Sequence, residues 1–171
     1  DDEGEVLTVV RGMNEVRFEP EYEGAESFEG MILWAGRGLS GPRKPPPGKY
    51  RVRLFAEVDG EALVLERPML LRKDPRTDAT EQDLQDKFVF VLECRDTITA
   101  AHEAIIEIRA LREQLAAVVQ RSEGQARQQL EAMAEQVNGP LREVEEPLYQ
   151  PKSKSPQDPL YYPIKLTDKL A

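Results

Sequence analysis

The chain has 171 residues, 40% hydrophobic and 32% charged, which is enough apolar side chain to bury a core in one large domain or two small ones. Its 32 acidic and 23 basic residues leave a net charge of −9 and a pI near 4.8, which argues against nucleic-acid binding led by phosphate neutralisation. One Cys and one His exclude an intrachain disulfide and a Cys/His zinc site, and no apolar run reaches the roughly 20 residues that span a bilayer.

The acid is concentrated at the start. Residues 1–30 hold ten carboxylates against Arg11 and Arg17, a local charge of −8. The acids are interleaved with apolar residues, so the segment reads as the charged surface of a folded β unit rather than a disordered tail. The chain opens at Asp1 with no basic stretch ahead of an apolar one. It is expected to be a processed chain or a piece of a longer one. A lone Cys94 neither requires nor excludes an oxidising compartment.

Residues 1–79 read as strands. Val6–Val10 is short, apolar and β-branched; 14–18 alternates; Met31–Trp34 is an apolar run between Gly30 and Gly36. Tyr50, Val52 and Leu54 alternate with Arg51 and Arg53, Asp59-Gly60 offers the positive φ of a tight hairpin turn, and Ala62–Leu65 leads back. Pro68 lacks a ladder donor, so 69–71 is expected to be an edge or bulged strand. The expectation is a small immunoglobulin-like antiparallel β-sandwich over 1–79. The loop 36–48 carries Arg37, Arg43 and Lys44 beside Trp34 and Tyr50. Trp34, Arg37, Arg43 and Tyr50 are therefore the candidate ligand-binding residues, with Trp34 as a stacking platform. The alternative places Trp34 in the core beneath a plain loop.

Residues 80–171 read as helices. Asp74-Pro75-Arg76 marks the hinge, and Thr80 with Asp83 has capping-box spacing. From there to about Gln120 there is no Gly or Pro. Leu84, Phe88, Val91, Leu92, Ile98, Ala101, Ile105, Ile108, Leu111, Leu115 and Val118 recur at helical spacing. A rod of about 60 Å needs an antiparallel partner. The partner is expected after a turn at 120–124, started by Ser122 and Gln125. Its seam is expected at Ala126, Leu130, Met133, Val137, Leu141, Val144 and Leu148. Gly139-Pro140 predicts a kink or break, and Pro147 an end. Asp158-Pro159 and the apolar residues 160–170 predict a short, incomplete third helix. The fold class is thus α+β: the sandwich, then a long antiparallel helical hairpin forming a partial bundle over 80–171.

Catalytic chemistry is hard to find. No phosphate-cradling Gly loop, HExxH or GxSxG pattern occurs. Cys94 and His102, eight residues apart on one helix, lie about 12 Å apart along its axis, too far to act as nucleophile and base. They are expected to be a small buried or half-buried hydrophobe and a seam-edge residue. Adjacent Glu145 and Glu146 point to different sides. Asp74 and Asp78 are too few for calcium, and a hinge salt bridge to Arg76 is the plainer reading. No catalytic residue, cofactor or metal ligand is assigned.

The order of several segments resembles the region after the β-propeller in bacterial proteins related to sortilins and BNR-repeat sialidases, often described as glycosyl-hydrolase-like. The segments are Gly12-Met13-Asn14 with Phe18 and Tyr22, Gly30-Met31-Ile32-Leu33-Trp34, Gly41-Pro42, Pro47-Gly48-Lys49-Tyr50-Arg51-Val52-Arg53-Leu54, Asp74-Pro75-Arg76 and Asp158-Pro159-Leu160. The resemblance implies an extracytoplasmic protein, periplasmic or secreted, with a propeller N-terminal to this region. No aspartate box occurs here, so no sialidase residue is carried over. The expected function is a non-catalytic accessory module for scaffolding or oligomerisation through the hairpin. The alternatives are a carbohydrate-binding module at Trp34 and Tyr50, and a hydrolase using acids near the hinge, such as Asp74.

Overall fold

A computed structural model describes residues 12–15, 18–36, 44–58 and 61–171. In order these form an extended N-terminal strap (18–33), a 3-10 turn (Trp34–Gly36), strands β1 (Gly48–Val58) and β2 (Glu61–Leu71), helices α1 (Glu81–Gln120) and α2 (Gly124–Leu148), a second 3-10 turn (Asp158–Leu160) and α3 (Leu166–Leu170). Mixed α/β composition with long helices is therefore the fold class. The helical half keeps the order of elements read from the sequence: a long helix, a short turn, a second helix and a short third one.

The β half departs from it. The described residues contain one sheet, of two antiparallel strands in register from Gly48↔Leu71 to Val58↔Glu61. The hairpin pairing read at 50–54 and 62–65 is present and extends to 11 residues on each side. β2 runs unbroken through Pro68 to Leu71. This is tolerated because each strand of a two-stranded ribbon has a free edge, where a missing N–H costs no ladder bond. Met31–Trp34 is not a strand. Its backbone donors go to partners outside any sheet: Ile32 N to Tyr149 Oη (2.9 Å) and Trp34 N to Asp168 Oδ1 (3.0 Å). A turn closed by Met31 N to Phe28 O (3.2 Å) precedes it, with Gly30 at φ 74, a geometry that glycine adopts without strain. Of the expected strand at 14–18, residues 14, 15 and 18 are not extended pairs. Val6–Val10 lies outside the described residues, as do Arg37, Arg43 and the Asp59-Gly60 turn.

Helix α1 starts where the capping pair placed it. Thr80 Oγ1 accepts from Asp83 N (3.1 Å), and the Asp83 carboxylate accepts from Thr80 N (2.8 Å), satisfying two end groups at once. Helix α2 follows after a three-residue turn and packs antiparallel on α1. Its N-cap is Glu123, without a side-chain hydrogen bond, rather than Ser122, whose hydroxyl donates back to Val118 O (2.9 Å). Gly124 at φ 58 opens the helix. α2 continues through Gly139-Pro140 without a break and ends one residue after Pro147. With 25 residues against 40, α2 covers only the C-terminal part of α1. The remaining part is covered by the strap and the tail after α2: Glu26 N donates to Thr99 Oγ1 (3.1 Å), and Tyr22 meets Phe88 edge-on with centroids 4.9 Å apart. α3 is the short third helix, held by the fully buried Thr167, whose hydroxyl donates to Leu148 O (2.9 Å).

Candidate interaction surfaces

The residues that pack between the helices are Ile98, Ala101, Ile105, Ile108, Arg112, Leu115 and Val119 of α1, with Leu130, Ala134, Asn138, Leu141, Glu145 and Leu148 of α2, all buried or half-buried. Their spacings of three and four are those of a helical seam. The seam on α2 is shifted from the one read in the sequence. Leu130, Leu141 and Leu148 belong to it, but Met133, Val137 and Val144 are 60%, 40% and 51% exposed. On α1, Leu111 and Val118 are likewise exposed. The cause is polar. Glu145 turns inward because Arg109 Nε (3.2 Å) and the Arg112 guanidinium reach it from α1, and that contact sets the rotation of α2.

The two sides of this helical layer differ. Phe28 of the strap touches His102 (5.1 Å) and Tyr149 (5.0 Å) edge-on, and the Arg109 guanidinium lies 4.6 Å over its ring. His102, Arg109 and Tyr149 each follow a seam residue by one position, a rotation of 100°. The exposed apolar residues each precede a seam residue by one: Leu111, Val118, Met133, Val137 and Val144. In antiparallel helices the same rotational offset points to the same side of the pair. The strap and tail therefore cover one side, and the exposed apolar residues line the other. Thirteen positions precede a seam residue in this way, from Thr97 to Val118 and from Gln129 to Pro147, and one of them, Glu107, is charged.

His102 is fully buried against the strap rather than at a seam edge. Its Nδ1 lies 2.6 Å from Glu26 O. A carbonyl can only accept, so Nδ1 carries the proton. The buried Nε2 has no protein partner. Cys94 is half-buried on α1, as read from the sequence. Glu145 is buried and Glu146 exposed, so the adjacent acids do point apart. Asp74 pairs with Arg76 (2.6 Å), and that hydrogen bonding holds its carboxyl below the usual range. Among the described residues no group of three or more His, Cys, Asp or Glu is placed to hold a metal ion.

Of the candidate ligand residues, Trp34 and Tyr50 are described. Trp34 is half-buried with its N–H committed to Asp168. Tyr50 donates its hydroxyl to Pro46 O (2.6 Å) at the base of the ribbon, and burial raises its pKa, with a smaller contribution from Tyr22. The two are anchored by different elements, Trp34 by its backbone N–H on Asp168 and Tyr50 by its hydroxyl on Pro46 O. A cavity of about 690 Å³ lies instead where the ribbon base meets the start of α1. Leu71, Leu84, Phe88 and Val91 form its floor, Pro45–Pro47 one wall, and Lys44, Arg72, Lys73 and Lys87 stand around it with Glu19 and Asp74. Composition alone gave no signal for this cavity, since its residues come from four separated segments.

The ribbon is also largely open. Opposed residues share a face, so Leu54, Leu63 and Leu65 lie on one side, with Tyr50, Val52, Ala56, Met69 and the charged Arg67. These three leucines are 42–44% exposed. No helix of the described residues is long and apolar enough to cross a membrane. Comparison of the chain with protein families, with curated proteins and with solved structures finds no match.

Proposed function

We propose that this chain is a non-catalytic interaction module of a larger extracytoplasmic β-propeller protein, and that it associates through the uncovered side of its helical hairpin. One observation carries this reading: in a chain with nearly a third charged residues, one side of a two-helix layer is almost free of charge and exposes Leu111, Val118, Met133, Val137 and Val144. Contiguous apolar surface of a few hundred Å² on a soluble protein marks a contact site. The heptad-like recurrence at 104, 111 and 118 and at 137 and 144 suits packing against further helices, and a second hairpin of the same chain supplies them. In the same proposal the ribbon is one hairpin of an immunoglobulin-like sandwich completed by strands from elsewhere in the longer protein. The exposed leucines of its apolar face and the Pro47–Leu54 segment support that assignment. The propeller context rests on the order of motifs given above.

Sedimentation velocity tests the association. The wild-type chain is expected to dimerise at concentrations up to about 100 µM, with a mass that depends on concentration. Met133→Glu with Val137→Glu is expected to give a monomer with unchanged helix content, because both positions are already exposed. A wild-type monomer throughout that range overturns the oligomer reading.

A further inference from the structure

The cavity at the ribbon–helix junction lies apart from the bare side of the hairpin, and we infer that it is a docking site for an acidic peptide segment of a partner protein that carries a bulky apolar side chain. The inference is independent of self-association, since none of its residues belongs to the hairpin face.

Three observations converge on that ligand. The floor is apolar and includes an aromatic ring: Phe88 is held edge-on by Tyr22 (4.9 Å) and flanked by Leu84 and Val91. At about 690 Å³ the space takes one or two large side chains with their backbone, within the range of about 300–1,000 Å³ typical of binding pockets. The wall of three consecutive prolines has its φ angles fixed, so the cavity keeps its shape without a ligand.

The rim is mainly basic, with Lys44, Arg72, Lys73 and Lys87 against Glu19 and Asp74. Lys44, Arg72 and Lys87 make no hydrogen bond or ion pair among the described residues. Lys73 is held by the neutral acceptors Thr77 O (3.2 Å) and Ala79 O (2.8 Å), and its charge is felt by the nearby Asp83 carboxylate. The Asp74 carboxylate is already engaged by Arg76. Residues 31–80 as a whole hold ten basic against six acidic residues, although the chain carries −9. A basic rim on an acidic protein selects anionic partners by charge complementarity and steers their approach.

The site's shape favours a peptide over a small amphipathic anion. Leu71, Arg72 and Lys73 continue directly from β2 along the rim, and among the described residues β2 has no neighbour on its outer edge. An extended segment entering the cavity can therefore run beside a free strand edge and pair its backbone there. Its apolar side chain would sit between Phe88 and the prolines, with carboxylates at Lys87, Arg72 and Lys44.

Fluorescence anisotropy with a labelled peptide alternating glutamate with leucine and phenylalanine tests this. Saturable binding is expected, weakening as salt is raised. The same peptide with lysine in place of glutamate is expected not to bind. Lys44→Glu with Lys87→Glu, both at the rim, is expected to weaken binding at least tenfold while circular dichroism stays unchanged, and Phe88→Ala to weaken it with less effect on the salt dependence. Absence of binding to the acidic peptide, equal binding of the lysine peptide, or affinity unchanged by the charge reversals overturns the proposal. So does competition in which laurate occupies the site and the peptide does not. A monomeric wild-type chain that binds the peptide keeps this inference and removes the other.

Discussion

The Glu145 contact offers the sharpest test of how the hairpin is held. Its side chain is 8% exposed and faces Arg109 and Arg112, themselves 38% and 26% exposed. Replacing it by Gln keeps the volume and removes the carboxylate that both cations pair with; one of these cations already has a buried Nη2 without a partner among the described residues. Breaking a fully buried pair costs about 3–5 kcal/mol, and an exposed pair contributes about 0–1 kcal/mol. The part-exposed arginines place Glu145→Gln between these, at about 2–3 kcal/mol. For a chain of this size that is a fall in Tm of about 4–12 °C. Urea unfolding followed by circular dichroism at neutral pH measures it. Glu146→Gln, one residue on and exposed, is the control, expected to change stability by less than about 0.5 kcal/mol. A double-mutant cycle with Arg112→Met separates the ionic coupling from lost packing. A loss below about 1 kcal/mol for Glu145→Gln would place it among surface pairs and refute the claim that it sets the rotation of α2.

Two further predictions concern the helix ends and interiors. Hydrogen bonds from the Thr80 backbone and hydroxyl hold the Asp83 carboxyl below its ordinary value. Its contribution is therefore complete at neutral pH, above the unfolded-state value of about 3.9, and is lost as pH falls through the folded one. An acid titration of thermal stability is expected to show this loss in the wild type and to show less of it in Asp83→Asn. Gly139 sits inside α2 with nothing but its chain neighbours close to where a Cβ would go, and the Pro140 ring beside that Cβ takes back part of the gain, so Gly139→Ala is expected to stabilise by no more than about 0.5 kcal/mol. Gly124→Ala, at φ 58, is expected to destabilise by about 1–2 kcal/mol. Denaturant midpoints that move in the same direction for both would contradict the backbone geometry at one of them.

The local signals were legible in the residues themselves. The Thr80/Asp83 pair, the uninterrupted apolar period to Gln120, the short turn and the alternation around Asp59-Gly60 each depend on neighbours within a few positions, so sequence by itself determined α1, the start of the hairpin and the paired strands. Three things depended on contacts distant in sequence. Met31–Trp34 has the composition of a strand but spends its backbone donors on Tyr149 and Asp168, more than a hundred residues away. Apolar content alone favours the α2 seam through Met133, Val137 and Val144, and the arginines of α1 override it, selecting the rotation that buries Glu145 and exposes those three residues. The cavity gathers residues 19–20, 44–47, 71–77 and 84–91, a grouping that no periodicity encodes. The physical reason is the same in each case: propensity and periodicity fix which face of an element is apolar, but the partner that satisfies a buried donor or charge is chosen only when the elements meet.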